Sequence, residues 1–157
     1  MADWILVSLL LSVLLLGGYL FMQRTANALP TVAVRYTLTV NALDRSLLGE
    51  DTDPTSLIPL RSTVTNENGT AILGRVVSVE RLPYEIADST DEGIVFVQDP
   101  ERVRLLITVR TEGTVSPQDG VRVNDIRISA GGTGAFRFGN FYAEQCTVRS
   151  VWKEEKQ

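Results

Sequence analysis

The chain lacks histidine altogether and contains a single cysteine, Cys146. The absence of histidine excludes a Ser-His-Asp triad, a Cys-His dyad and any zinc or haem site that needs a histidine ligand. One cysteine cannot form an internal disulfide, so the fold must be stable without a covalent cross-link. Because no histidine can activate it and its neighbours alternate as in a strand, we predict Cys146 to be a small core residue.

Basic residues are also few, 15 against 19 acidic residues, and the net charge of −4 gives no general attraction to nucleic acid. The only lysines are Lys153 and Lys156, which lie in a polar C-terminal stretch, so a Ser-Lys dyad is not expected. No arrangement of residues selects a catalytic pair. We therefore expect a non-enzymatic protein without a cofactor.

Charge is absent from one long segment, Trp4–Met22, whose 19 residues are dominated by leucine. A helix of this length spans roughly 28 Å, close to the ~30 Å hydrocarbon core of a bilayer. The sequence therefore predicts a transmembrane anchor. The residues of this predicted span that we single out are Trp4, Ser8, Ser12, Gly17, Gly18, Tyr19 and Met22.

One face of the predicted helix carries Ser8, Ser12, Leu15 and Tyr19. Small residues four positions apart let two helices approach closely, so this face is a candidate helix-packing surface. The plainer alternative is that small residues scattered in a leucine-rich span have no such role.

A cleavable export signal is an alternative interpretation of the same segment, because Ala26-Asn27-Ala28 has the pattern of a cleavage site. A signal peptide would begin with a basic region, however, and Met1-Ala2-Asp3 contains no basic residue. We favour an uncleaved anchor, and cleavage after Ala28 stays open.

From Thr31 onward, apolar and polar residues alternate, which is the pattern of half-buried β-strands. The first predicted strand is Thr31–Val40. The face that we predict to be buried carries Val32, Val34, Tyr36, Leu38 and Val40, and the other face carries Arg35, Thr37 and Thr39. Further strands are predicted at Ala71–Leu82, Gly93–Gln98, Val103–Thr111, Val121–Ser129, Ala135–Phe138 and Tyr142–Trp152, and Asp44–Leu60 is ambiguous. The predicted fold class is all-β, a small barrel or sandwich of roughly seven strands.

These patterns divide the chain into four parts. We expect a transmembrane anchor in residues 1–24, a short linker in 25–31, a β domain in 32–152 and a polar tail in 153–157.

Two pairs of strand segments suggest an internal duplication. Leu38-Thr39-Val40 matches Ile107-Thr108-Val109, and Gly74–Val79 matches Cys146–Val151, at separations of 69 and 72 residues. Two similar β-units that bury one core would form a pseudo-symmetric barrel. Chance similarity between valine-rich strands is the alternative.

Several short motifs of the β domain are arranged as in a known group of bacterial proteins. They are Leu73-Gly74-Arg75-Val76-Val77-Ser78-Val79, Asp99-Pro100-Glu101-Arg102, Glu112-Gly113-Thr114-Val115 and Gly139-Asn140-Phe141-Tyr142-Ala143. With the N-terminal segment, these motifs resemble the short single-pass proteins of domain-of-unknown-function family forty-three thirty. The chain differs in its missing basic N-terminal segment and in Glu144-Gln145-Cys146, where Glu-Gly-Thr is usual. The resemblance implies a bacterial envelope location and brings no catalytic residues.

The orientation of the β domain rests on two conflicting signals. Arg24 and Arg35 follow the apolar segment and no basic residue precedes it, which by the positive-inside rule favours a cytoplasmic domain. An apolar segment after a very short N-terminal tail is, however, a usual export signal, and the resemblance implies the envelope. We therefore predict a single-pass protein of the bacterial inner membrane with an extracytoplasmic β domain.

Two groups of charged residues are candidate binding sites. The acidic loops Glu50–Asp53 and Asp88–Glu92 could supply oxygen ligands to a divalent cation, although neither has the spacing of an EF-hand and solvated loops are the plainer explanation.

The strand arginines that we single out as a candidate interaction surface are Arg122, Arg127, Arg137 and Arg149. Charges that pair within the domain or face water are the alternative.

The sequence thus favours a membrane-anchored, non-catalytic β module that binds other copies of itself or a larger membrane complex. One alternative is an accessory or adaptor subunit of a membrane transport complex. Another is an enzyme that depends on carboxylates or a divalent cation.

Overall fold

The computed structural model describes residues 7, 9–19, 30–49, 53–91, 93–118 and 120–154. The chain divides into two units, Met1–Pro30 and Thr31–Gln157. In the first unit, residues 9–19 form a helix, α1, whose side chains are exposed. Among the described residues, no helix is both long enough and apolar enough to cross a membrane. The predicted anchor extends beyond the described residues, and Trp4, Ser8 and Met22 lie outside them.

The second unit is one antiparallel sheet of eight strands. The strands are β1 (Thr31–Asp44), β2 (Thr63–Asn66), β3 (Ile72–Thr90), β4 (Gly93–Ser116), β5 (Gly120–Val123), β6 (Ile126–Ile128), β7 (Thr133–Phe138) and β8 (Phe141–Lys153). A 3₁₀ turn (Arg45–Leu48) and a short helix α2 (Pro54–Leu57) follow β1. The predicted all-β fold is confirmed, with eight strands rather than about seven.

The sheet closes on itself. Its strand order is β1-β8-β7-β2-β3-β4-β5-β6, and β1 also pairs with β4. Six strands therefore form a closed ring, and the β5–β6 hairpin extends from β4. The sequence predicts a small barrel or a sandwich, and this closed pairing is that of a barrel.

The pairing pattern of the ring has a two-fold symmetry. Exchanging β1 with β4, β2 with β7 and β3 with β8 leaves all six pairings of the ring unchanged. Leu38 and Ile107, which begin the two sequence repeats, lie directly opposite each other. Two similar β-units that share one core would give this pattern, and the duplication itself stays a prediction.

The core fills the inside of the ring and follows the alternation of the apolar residues, but Thr37 and Thr39 on the opposite face of β1 are buried as well, so this part of β1 is covered on both faces. Val34, Tyr36 and Leu38 are completely buried, as the period-two pattern predicts. Other completely buried side chains are Ile58, Val64, Leu105, Ile107, Val109, Phe138 and Cys146. Burial raises the pKa of the Cys146 thiol to about 12. Each large apolar side chain in such a core contributes about 1.5–3 kcal/mol by its removal from water.

Strands β3 and β4 are much longer than predicted. β3 continues past Leu82 to Thr90, and the predicted strands Gly93–Gln98 and Val103–Thr111 are parts of β4. Pro83 lies in β3 and Pro100 in β4, and a register shift between Pro83 and Tyr84 carries the β3–β4 pairing past both prolines.

The predicted strand Val121–Ser129 is a hairpin in the structure, formed by β5 and β6. Asn124 and Asp125 adopt φ angles of +44° and +65°, the left-handed conformation of a tight hairpin turn. Asparagine and aspartate tolerate this conformation better than most residues. The turn was not predicted from the sequence, because apolar residues alternate with polar ones on both sides of it.

The ambiguous segment Asp44–Leu60 contains the 3₁₀ turn and helix α2. Each begins at an aspartate whose side chain accepts a backbone N–H: Asp44 from Ser46 at 2.8 Å, and Asp53 from Thr55 at 2.9 Å. These hydrogen bonds lower the pKa of both carboxyl groups.

Candidate functional site: an exposed hairpin arm

The β3–β4 hairpin extends beyond the ring, and we call this part, residues 84–99, the arm. Tyr84–Thr90 of β3 pairs with Gly93–Asp99 of β4. Among the described residues, neither segment pairs with any other strand. At about 3.3 Å per residue, the arm is roughly 20 Å long. It is therefore a two-stranded ribbon with two free edges.

The arm projects from one defined end of the ring. Because β1 and β4 are antiparallel, Thr31 lies opposite Thr114, and Asp44 lies opposite Arg102. The arm precedes Arg102 in β4. It therefore extends from the end of the ring at which β1 finishes, away from the end at which β1 begins.

Both faces of the arm are exposed and apolar. Ile94 and Phe96 lie on one face, with exposed fractions of 70% and 73%. Ile86, Val95 and Val97 lie on the other face and are between 42% and 45% exposed. Single exposed apolar residues are common, but five of them grouped on one ribbon make the arm a candidate interaction surface.

The composition of the arm explains why it forms strands. Its β-branched and aromatic residues have high strand propensity, and Ile86 lies opposite Val97 while Ala87 lies opposite Phe96. A two-stranded hairpin alone is marginally stable in water. The ring supports its base, and the exposed faces leave apolar area that a partner can bury.

The end of the arm carries Asp88 and Asp91, the described acidic residues of the candidate cation loop Asp88–Glu92. The hydroxyl of Thr90 donates a hydrogen bond to the carbonyl of Gly93 at 2.9 Å across this turn. In the other loop, Asp53 caps helix α2, and residues 50–52 lie outside the described part. Within the described ranges, no three acidic or cysteine side chains lie close enough together to hold a metal.

A groove of about 570 Å³ lies at the base of the arm. Arg45, Arg81 and Arg102 line it, with Asp99 as the acidic residue. Arg45 donates a hydrogen bond to the carbonyl of Pro100 at 3.4 Å, and the Arg102 Nε lies 3.8 Å from a carboxylate oxygen of Asp99. The base of the arm therefore carries charges of both signs, since Asp44 lies opposite Arg102 and Glu101 is the chain neighbour of Arg102.

The structure brings together only two of the four predicted interaction arginines by strand pairing. Arg122 of β5 lies directly opposite Arg127 of β6, and both are exposed. Arg149 is exposed on β8.

Arg137, the fourth of these arginines, interacts within the domain. Its Nε donates a hydrogen bond to the carbonyl of Glu67 at 2.8 Å, and its guanidinium lies 5.1 Å from the centre of the Tyr142 ring. These contacts position Arg137 on the outside of the ring and give it a structural role.

The ring carries a row of three arginines that was not singled out from the sequence. Arg35 of β1 lies opposite Arg110 of β4, which lies opposite Arg75 of β3. Glu154 forms ion pairs with Arg35 and Arg110, the latter at 2.7 Å. Like charges on directly opposed positions repel, so this carboxylate stabilises the row. The arginines are far apart in the chain, and no local pattern could reveal the row.

Part of the predicted helix-packing face lies within α1. Leu15 and Tyr19 are exposed, at 68% and 63%, and Ser12 is also on this helix. A Cβ atom added at Gly17 or Gly18 would meet no other atom within 4 Å. The described residues of this face are thus exposed on α1, and the packing role stays a prediction.

No protein-family model matches the chain, and no similar protein was found among the curated proteins or the solved structures.

Proposed function

We propose that this protein is a membrane-anchored, non-catalytic interaction module of the bacterial envelope, and that it binds its partner through the arm. The observation that carries the proposal is the exposure of apolar side chains on both faces of the arm. A ribbon with this composition loses exposed apolar area when it binds another protein, at a gain of about 25 cal/mol per Å².

The arm also offers main-chain groups to a partner. Its free edges present unpaired N–H and C=O groups, to which an extended segment can add as a further strand. Pairing of this kind combines main-chain hydrogen bonds with pockets for alternate side chains. Either another copy of the chain or a subunit of a membrane complex, including a transport complex, could supply that strand.

Anchoring is the second part of the proposal, and the uncharged segment Trp4–Met22 supports it. We propose that this segment holds the β domain at the outer surface of the inner membrane. Reporter fusions at Gln157 test the orientation, because alkaline phosphatase matures only where its disulfides can form. The extracytoplasmic location would be overturned if the phosphatase fusion were inactive and a fusion of green fluorescent protein at the same residue were fluorescent.

The interaction is tested on the full-length protein in mild detergent, by light scattering and by co-purification. We expect a mass above that of the monomer or a stoichiometric partner. The double variant Ile94→Ser/Phe96→Ser should lose this association. The matched control is Leu47→Ser/Leu60→Ser, which removes two side chains of similar exposure (55% and 52%) outside the arm. A monomer without a partner, or equal association of both variants, would overturn the proposal.

A thermal melt separates this proposal from the cation-dependent enzyme. A cation that binds only the native state raises the melting temperature, so a clear rise with calcium or magnesium would favour the enzyme.

A further inference from the structure

We propose that the arm pairs with the arm of a second copy, edge to edge through Gly93–Gln98 of β4, around a two-fold axis at Phe96. The inference rests on the proposed function, because it names the partner of the same surface. It predicts a four-stranded antiparallel sheet formed by two arms.

The edge of β4 in the arm is unprotected. Proteins usually protect exposed edges with lysine, proline, inward charges or a covering element. Gly93–Gln98 contains no charge and no proline, and every described side chain in it is exposed. Alternate residues along this edge present N–H and C=O groups that have no strand partner among the described residues.

The edge of β4 suits self-pairing better than the edge of β3. The β3 edge carries Glu85 and Asp88, and a two-fold arrangement would bring the like charges of two copies together. The β4 edge is uncharged from Gly93 to Gln98.

The side chains of this edge are complementary under a two-fold axis. With Phe96 opposite Phe96, Val95 lies opposite Val97, and Ile94 lies opposite Gln98. The apolar residues of each face then continue across the interface. This is an isologous contact, in which the same surface serves both copies and the assembly closes as a dimer.

The uncharged edge of β4 favours a second copy as the occupant, because only a like edge meets it without opposing charges. Antiparallel pairing places the tip of one arm, which includes Asp91, beside the base of the other arm, where Arg45 and Arg102 lie with Asp44 and Glu101. A parallel arrangement would instead place the two acidic tips together.

Disulfide cross-linking of the full-length protein in mild detergent tests the axis, in a Cys146→Ala background. Phe96→Cys should form a covalent dimer with diamide as oxidant, because cross-strand Cβ atoms about 5 Å apart can approach disulfide geometry. The matched control is Ala87→Cys, which lies opposite Phe96 on the other strand of the arm. Two copies of residue 87 would be three strand spacings apart, about 14 Å, and should not cross-link.

The register is tested with Ile94→Cys and Gln98→Cys. Neither variant should cross-link with itself, whereas a mixture of the two should, because residue 94 of one copy lies opposite residue 98 of the other. The inference would be overturned by an uncrosslinked Phe96→Cys protein, by equal cross-linking of Ala87→Cys, or by a mixture that stays monomeric.

A further outcome separates the two proposals. If the wild-type protein carries a different partner and Ile94→Ser/Phe96→Ser loses it, the arm is an interaction site but self-pairing is wrong. If the wild-type protein has neither a second copy nor another partner, both proposals fail. An unchanged melting temperature of each variant shows that the ring remains folded.

Discussion

The hydroxyl of Tyr36 donates a hydrogen bond to the backbone carbonyl of Leu73 at 3.0 Å, inside the closed ring. Tyr36 lies on β1 and Leu73 on β3, and β4 lies between these strands in the sheet. Both residues are buried, and Tyr36 is the largest completely buried side chain among the described residues. A buried tyrosine hydroxyl needs a polar partner, so this bond allows the ring to enclose an aromatic side chain.

Tyr36→Phe should lower the free energy of unfolding by about 1–2 kcal/mol, because it leaves the Leu73 carbonyl without this donor. Urea denaturation measures the change. The control is Tyr142→Phe, whose hydroxyl makes an exposed 3.4 Å contact with Glu67 and should change stability little. Equal stability of the wild-type protein and Tyr36→Phe would contradict the assigned role of the hydrogen bond.

The protein should lose stability in alkaline solution. Burial raises the pKa of Cys146 from an ordinary value of 9.0 to about 12, and burial together with the nearby Cys146 raises the pKa of Tyr36. Well below pH 9, both groups are protonated in the folded and in the unfolded chain, so their titration does not reduce the free energy of unfolding. Above it the unfolded chain releases protons that the folded chain retains, so stability falls as pH rises, by at most about 1.4 kcal/mol per pH unit for each group.

Unfolding free energies between pH 7 and pH 11 test this dependence. Cys146→Ala should have a shallower decline above pH 9, and the slope is compared because the substitution also leaves a cavity. Parallel declines of the two proteins would show that Cys146 does not contribute.

Gly113→Ala should destabilise the fold by about 1–3 kcal/mol, through overpacking. A Cβ atom at Gly113 would lie 2.6 Å from the carbonyl oxygen of Arg122, where β5 approaches β4. Gly134→Ala is the matched control, since its nearest neighbour, an atom of the Phe136 ring, is 3.6 Å away. Thermal melting of both variants should show a clear decrease only for Gly113→Ala, and a similar change in both would contradict the close approach.

Glu154→Gln should weaken the arginine row of the ring. The Glu154 side chain is 21% exposed and lies between Arg35 and Arg110, so we expect a loss of about 0.5–1 kcal/mol at low ionic strength. The loss should shrink with added salt, which screens both the ion pairs and the repulsion. Glu80→Gln is the control, because Glu80 is exposed and forms no ion pair in the described part of the chain. A salt-independent effect would point to packing instead.

Part of the candidate site could be predicted from the sequence. Gly93–Gln98 is a strand, as its β-branched and aromatic residues indicate. The paired segment Tyr84–Thr90 was missed, because its apolar alternation lasts only from Tyr84 to Ile86 and breaks at Ala87-Asp88. The exposure of Phe96 could not be predicted, since an apolar strand residue has the same local pattern whether it faces a core or water.

The sequence alone determined five of the six strands of the ring and the apolar face that β1 buries, but β2 (Thr63–Asn66) was not predicted. Along β1, the buried positions Val34, Tyr36 and Leu38 follow directly from the alternation of side chains along an extended backbone, which is a local property. The burial of Cys146 follows from the same alternation and from the absence of any residue to activate it.

Only the tertiary structure decided how these strands are joined and which side chains remain outside. The pairing of β1 with both β4 and β8 closes the ring, sets Arg35 beside Arg110 and leaves the arm without a neighbour. These relationships depend on hydrogen bonds between segments that are distant in the chain. No local pattern encodes them, because every strand offers the same main-chain groups and its partner is selected by the packing of the whole core.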